Sequence, residues 1–204
     1  MIDCIELIKD LLVFETNDDF YFLQILQRKK ENPNLGSKSK VIKNYYITST
    51  EHLIEKYDEI KSLCNMFNAR ASLRLNKRSF EKVAFKSLEN FANVMQTKEY
   101  KHIMNCYDKA CGLLNNEKQK KWIVDIDRNE LVWLEQIINS VQESEPNGNK
   151  IIIQLPTKSG IHLITKPFNV IQFKENLKNE LSKYSMNEIT IDIHKDNPIN
   201  LYIP

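Results

Sequence analysis

Residues 122–127 read Trp-Ile-Val-Asp-Ile-Asp and predict a β-strand that ends in two carboxylates. Side chains alternate between the faces of a strand, so Asp125 and Asp127 share one face while Val124 and Ile126 share the other. With their Cα atoms about 6–7 Å apart, each carboxylate disfavours ionisation of the other unless a cation lies between them. Hard divalent cations suit such a pair. In the simpler interpretation, Asp127 ends the strand and caps the following helix.

A second polar motif, Lys158-Ser159-Gly160-Ile161-His162, lies where two predicted strands, KIIIQLP and GIHLIT, meet in a hairpin. Gly160 would let the backbone approach a ligand closely or take a positive φ. Ser159 and backbone amides can donate hydrogen bonds to phosphate oxygens, and Lys158 adds a positive charge. His162 can donate to a nucleoside triphosphate, or it is a hydrogen-bonded structural residue of the sheet.

A third motif, Ile191-Asp192-Ile193-His194, repeats the alternation of the first. Asp192 and His194 face one way, and Ile191 and Ile193 face the other. A single acidic residue on a strand is weak evidence of a site. Asp192 becomes a candidate site residue only in combination with the other two motifs.

The order of predicted elements indicates an α+β fold. From residue 120 onward it is strand, helix, two strands, helix and two strands, the last being Asn200-Leu201-Tyr202-Ile203. We therefore predict an RRM-like sheet with helices on one face over residues 116–204. Residues 1–115 form an N-terminal α/β half, and the two parts pack as one compact unit.

The N-terminal half shows equally clear local patterns. Residues 20–28 and 41–48 alternate as strands do, and Ser49 or Thr50 can cap a helix. A further strand, ARASLRLNK, precedes Ser79, which begins a strong helix. Its residues Phe80, Val83, Ala84, Ser87, Leu88, Phe91, Val94 and Met95 trace one face. Shorter helices are predicted over residues 2–12, 98–114 and 129–142.

Composition excludes some classes of protein. The chain has 204 residues, 42% of them hydrophobic, and a formal net charge of +2. No run of 18 apolar residues occurs, so neither a transmembrane helix nor a secretory signal is expected. Four cysteines without paired spacing favour a reduced, cytoplasmic setting over a disulfide framework.

Taken in chain order, the three motifs resemble those of the archaeo-eukaryotic primase (primase–polymerase) superfamily: hDhD at 123–127, S-G-x-H at 159–162 and hDh at 191–193. The resemblance covers about residues 120–204. It implies that Asp125, Asp127 and Asp192 hold two Mg²⁺ or Mn²⁺ ions, and that His162 contacts the triphosphate of the incoming nucleotide. By their own chemistry, Lys158, Ser159 and Gly160 are predicted to bind the same nucleotide. It also implies a minimal catalytic domain from a bacterium, a phage or a mobile element.

A nucleotidyl-transfer site needs a polyanionic partner, and the basic residues of the N-terminal half are candidates to bind it. Arg70 and Arg74 would share one side of a strand, and Lys77 and Arg78 precede the Ser79 helix. We predict that these four contact a single-stranded DNA or RNA template, forming a basic template-facing surface. In the alternative interpretation, these residues belong to a solvated, lysine-rich surface that binds no nucleic acid.

Three functions remain open. The first is a template-dependent nucleotidyltransferase that joins nucleoside triphosphates, alone or with a helicase or another replication protein. The second is a nucleic-acid-binding accessory protein that keeps the fold without the chemistry. The third is a metal-dependent nuclease that uses the same carboxylates. No membrane association is expected.

Overall fold

The computed structural model describes residues 1–184 and 189–204. The chain divides into two compact units. Unit 1 contains residues 1–118 and 198–204, and unit 2 contains residues 119–197. The observed division after residue 118 lies close to the predicted one after residue 115.

Unit 1 begins with nine helices and strands and one 3-10 helix. In chain order they are β1 (Ile2–Asp3), α1 (Ile5–Lys9), β2 (Asp19–Gln27), β3 (Lys40–Ile47), α2 (Thr50–Phe67), β4 (Arg70–Arg74), β5 (Arg78–Ser79), α3 (Phe80–Thr97), the 3-10 helix Tyr100–Asn105 and α4 (Cys106–Leu113).

Unit 2 follows, and the chain then returns to unit 1 in its last strand. In chain order the elements are β6 (Trp122–Asp127), the 3-10 helix Arg128–Trp133, α5 (Leu134–Glu143), β7 (Ile151–Pro156), β8 (Gly160–Thr165), α6 (Val170–Ser182), β9 (Asp192–His194) and, in unit 1, β10 (Pro198–Ile203).

Serine side chains begin the two longest helices, as predicted. Ser49 Oγ accepts a hydrogen bond from the backbone N–H of His52 at 3.1 Å, and Ser79 Oγ accepts one from Lys82 at 3.1 Å. Each bond satisfies a donor that the first turn of a helix cannot satisfy itself.

Three predicted helices are shorter or divided. The helix expected over residues 2–12 is reduced to α1, and those expected over 98–114 and 129–142 each begin with a 3-10 segment. Such segments are common at the N-termini of α-helices, and apolar spacing does not separate them from α-helix.

The sheet of unit 1 has the strand order β1-β10-β4-β2-β3, with β5 paired to β2 and all neighbours antiparallel. Here the structure corrects the prediction for the last strand. Ile199 of β10 is opposite Leu73 of β4, so β10 belongs to this sheet and not to the sheet of unit 2, where the prediction placed it. Apolar alternation predicted a strand at this position correctly, but it does not specify which sheet the strand joins.

The sheet of unit 2 has the order β7-β8-β6-β9, with all neighbours antiparallel. Along the chain this is strand, helix, strand, strand, helix, strand, and the α+β class is confirmed. Val124 and Ile126 of β6 are fully buried and pack in one cluster with α5 and α6. The cluster also includes Phe173 and Leu177, so the two helices cover one face of this sheet.

Within residues 1–184 and 189–204, no helix is both long and apolar enough to cross a membrane.

Candidate functional site

The three polar motifs of unit 2 meet on three neighbouring strands. Asp125, on β6, lies directly opposite His162 of β8 on one side and Asp192 of β9 on the other. Residues directly opposite each other in antiparallel strands have Cβ atoms about 4.5–5.5 Å apart. The chain separates these residues by a helix each time, and the sheet brings them into one row, which we name the polar row: His162, Asp125 and Asp192.

The polar row lies on the face of the sheet away from its helices. Val124 and Ile126 point into the helix-covered cluster, so strand alternation turns Asp125 and Asp127 to the other face, as predicted. His162 Nε2 is 3.5 Å from Asp125 Oδ1, with side chains 13% and 36% exposed, respectively. Asp192 is exposed. A carboxylate beside an imidazole can orient the ring.

Asp127 lies two residues beyond the polar row and has partners of its own. Its side chain forms a capping box with Glu130: its carboxylate accepts from the Glu130 backbone, and its own N–H donates to Glu130 Oε2 at 2.7 Å. Ser159 Oγ also donates to Asp127 Oδ1 at 3.3 Å. The simpler interpretation of Asp127 as a helix cap is therefore what the structure shows, at the start of a 3-10 helix.

The role of Glu130 was not predicted from the sequence, although the sequence contains a capping-box pattern that indicates it. Asp127-Arg128-Asn129-Glu130 has the spacing of a capping box, in which an acidic residue three positions after the cap binds back to the backbone N–H of the cap. The Ser159 hydroxyl, predicted to bind phosphate, is held by the same aspartate.

Gly160 is required by the close approach of two strands. It is directly opposite Asp127, and a Cβ atom at Gly160 would lie 2.0 Å from the Ile126 carbonyl oxygen and 2.9 Å from the Asp127 Cα. Gly160 does not have a positive φ. The predicted positive φ is thus wrong, and the contact with β6 is the reason for a glycine that the structure shows.

Lys158 and Ser159 form the exposed turn between β7 and β8, as the hairpin prediction required. The backbone N–H of Thr157 donates to the Gly160 carbonyl at 2.9 Å and closes the turn. The Arg128 N–H donates to the Ser159 carbonyl at 2.6 Å, which ties this turn to the end of β6. The turn therefore holds Lys158 and Ser159 near Asp127.

The polar row and Asp127 fit a divalent cation in donor type but not in present geometry. Their three carboxylates are the oxygen ligands that Mg²⁺ and Mn²⁺ prefer. In the described part of the chain, however, no three His, Cys, Asp or Glu side chains are grouped closely enough to hold a metal ion. Binding would therefore require the side chains of Asp125, Asp127 and Asp192 to rotate toward one another.

Known proteins do not identify this arrangement. Comparison with protein-family models, with curated proteins and with solved structures gave no match to the chain.

Three of the four basic residues predicted to contact nucleic acid, Arg70, Lys77 and Arg78, are buried in unit 1. Arg70 is 8% exposed and donates through Nε to Glu31 Oε2 at 2.8 Å, with a second bond from Nη2 to Oε1. Arg78 is fully buried, and its Nε donates to the Cys111 carbonyl at 2.8 Å. Arg74 is half-buried on β4.

Lys77, the fourth predicted contact, is 1% exposed and belongs to a buried ion pair. Its Nζ is 3.0 Å from Asp19 Oδ2 and 3.3 Å from Glu15 Oε2. Burial by itself would raise the pKa of Asp19, but bonds from Lys77 and from the backbone N–H groups of Glu15 and Thr16 outweigh burial and lower it. In this conformation Arg70, Lys77 and Arg78 stabilise unit 1 instead of facing a template.

Proposed function

We propose that unit 2 carries a nucleotidyl-transfer site of the primase–polymerase type on an RRM-like catalytic sheet. The observation that carries the proposal is the register of the three motifs. Asp125 is opposite both His162 and Asp192, although a helix separates each motif from the next along the chain. The order of the motifs in the sequence and their adjacency on the sheet support the same site independently.

The proposed roles follow from position. Asp125, Asp127 and Asp192 would hold two Mg²⁺ or Mn²⁺ ions, which supply Lewis-acid stabilisation of the attacking 3′-oxygen and the leaving pyrophosphate. His162 would donate to a triphosphate oxygen from the next strand, and it lies close enough to Asp125 for that carboxylate to orient its ring.

The turn between β7 and β8 would bind the remaining phosphates. Lys158 provides a positive charge there, and Ser159 provides a hydroxyl beside Asp127. Gly160 contributes indirectly, because only a glycine lets the turn approach β6 so closely. Substrates are thus a nucleoside triphosphate and a single-stranded nucleic-acid template.

Labelled-nucleotide incorporation on a primed or unprimed single-stranded template with Mg²⁺ or Mn²⁺ tests this function. We expect Asp125→Asn with Asp192→Asn to reduce incorporation by at least about 100-fold, in the range seen when groups that stabilise transition-state charge are removed. Glu175→Gln on α6 is the matched control, because Glu175 is an exposed acid of the same unit and lies outside the polar row. Incorporation that survives the double substitution overturns the proposal.

The competing functions give different products in the same assay. Shortening of the oligonucleotide with no extension product identifies a nuclease. Salt-sensitive binding of single strands without turnover, together with no Mn²⁺ heat signal in titration calorimetry, identifies an accessory protein without the chemistry. Either outcome rejects nucleotidyl transfer.

A further inference from the structure

Helix α3 of unit 1 has an apolar side that the fold leaves uncovered. Val83 is fully buried, and Ser87 and Asn90 are 7% and 9% exposed, respectively. The other large apolar side chains lie outside the core: Phe85 is 67% exposed, Leu88 65%, Phe91 41% and Met95 54%. The sequence predicts Leu88, Phe91 and Met95 on the same face as Val83 and Ser87, so the structure buries only one edge of that face.

The uncovered residues have the spacing of a helix–helix seam. Ala84, Leu88, Phe91 and Met95 follow one another at intervals of four, three and four residues, which is the d-a-d-a pattern of a heptad repeat. Phe85 flanks this seam one residue further round the helix. A seam of this kind is suited to a second helix, because a/d side chains insert between those of a partner.

The seam is complementary to itself when a second α3 runs antiparallel to it. With the two-fold axis at the midpoint of the seam, between residues 89 and 90, Leu88 meets the partner's Phe91 and Ala84 meets the partner's Met95. Each pairing that includes Ala84 sets a small side chain against a large one, which favours close packing. The same operation repeats both contacts, as an isologous two-fold interface requires.

The charges at the two ends of α3 match in the same arrangement. Glu81 lies in the first turn of the helix and Lys98 is its C-cap, and both are exposed. They continue the heptad spacing of the seam by three residues at each end. An antiparallel two-fold pair therefore sets Glu81 against the partner's Lys98 twice, whereas a parallel pair would set like charges together.

The exposed area is also of the size that a dimer needs. If a fully exposed apolar side chain of this size presents about 150–200 Å², the four large ones together expose about 400 Å². A standard interface buries about 800 Å² per partner, a little over half of it apolar. The seam and the polar residues beside it can supply that amount.

We propose that the protein forms a symmetric homodimer through antiparallel pairing of its α3 helices. The interface is built from Ala84, Phe85, Leu88, Phe91 and Met95, with Glu81 and Lys98 at its rim. The dimer is independent of the function proposed for unit 2.

Sedimentation equilibrium of the full chain between about 1 and 100 μM tests the dimer, this concentration range bracketing the μM affinities of weak specific complexes. The wild type should approach twice the monomer mass of 24.1 kDa. Leu88→Glu with Phe91→Glu should be monomeric throughout. Ile54→Glu is the control, because Ile54 is 56% exposed on α2 and should leave the dimer intact. A monomeric wild type, or a dimer that survives the double substitution, overturns the proposal.

Charge exchange tests the pairing of Glu81 with Lys98 without touching the apolar seam. Glu81→Lys or Lys98→Glu alone should weaken dimerisation by about threefold to tenfold, as expected for rim ion pairs. The double exchange should restore the wild-type Kd. If the double exchange does not restore the wild-type Kd, the antiparallel arrangement is wrong.

Disulfide trapping tests the register directly, since the four native cysteines are buried and unpaired in disulfides. When Ala84→Cys and Met95→Cys chains are mixed and oxidised, the mixed dimer should be the main crosslinked product. Predominant crosslinking of Ala84→Cys chains to each other indicates a parallel pair and contradicts the proposal.

Discussion

The basic cluster predicted in unit 1 and the polar row of unit 2 place their charged side chains in opposite ways. Unit 1 buries Lys77 and Arg78 and pairs Lys77 with Asp19, which is itself 2% exposed. Unit 2 arranges Asp125, Asp192 and His162 on the face of its sheet away from the helices. Clusters of charge in a sequence therefore do not by themselves mark a binding surface. Their partners and burial decide whether they serve the fold or a ligand.

Electrostatics explains why the arrangement in unit 1 stabilises the fold. Burial by itself would lower the pKa of Lys77, but its hydrogen bonds to Asp19 and Glu15 outweigh burial and raise it. The lysine therefore stays charged inside the protein. Removing Lys77 or Asp19 would leave the charge of the other buried and uncompensated. The acids of the polar row in unit 2 differ, because they are at least partly exposed.

The largest expected effect is the loss of stability in Lys77→Met. The Asp19 carboxylate would remain buried without its cation, so we expect a loss of about 3–5 kcal/mol in the free energy of unfolding. Urea unfolding measures it. Lys86→Met is the control, because the ion pair of Lys86 with the exposed Glu89 lies on the surface of α3 and should be worth about 0–1 kcal/mol. Equal losses in the two variants would remove the contrast between buried and exposed charge.

A smaller loss is expected in Gly160→Ala. The added Cβ would overlap the Ile126 carbonyl oxygen at 2.0 Å, so β6 and the turn must move apart. Overpacking of this kind costs about 1–3 kcal/mol. Gly36→Ala is the control, because nothing lies within 4 Å of its Cβ position, and it should unfold like the wild type. A stable Gly160→Ala would show that the turn is not tightly held against β6.

The dependence of stability on acid pH should come partly from Asp19. Its pKa is lowered in the folded protein, so its stabilisation is complete above the unfolded pKa, about 3.9. It is lost as pH falls through the lower folded value. Asp19→Asn should therefore flatten the fall of unfolding free energy below about pH 4. Asp58→Asn, at a 95% exposed side chain, is the control and should keep the wild-type slope.

The smallest expected effect is that of Asp125→Asn on stability. Asp125 lies opposite another carboxylate, Asp192, so loss of its charge removes a repulsion and should change the unfolding free energy by no more than about 0.5 kcal/mol. The same substitution at Asp19 should be clearly destabilising. If Asp125→Asn unfolds as readily as Asp19→Asn, the polar row is part of the framework of unit 2.

The candidate site was largely predictable, and the reasons are local. Alternation along β6, β8 and β9 predicts which face Asp125, His162 and Asp192 occupy. The sequence did not reveal how those strands align, and the register of β6 with both neighbours is what forms the polar row. The role of Gly160 was also hidden, because it depends on the position of a carbonyl oxygen on another strand.

Local patterns in the sequence specify where most helices and strands lie, because capping serines, turn residues and apolar alternation act over a few neighbouring residues. Only the tertiary structure decided that Lys77 and Arg78 are buried, that β10 joins the sheet of unit 1 and that Leu88 and Met95 remain exposed. Each of these depends on contacts between segments far apart in the chain. Local patterns do not specify such contacts, since burial and pairing energies arise only when distant surfaces meet.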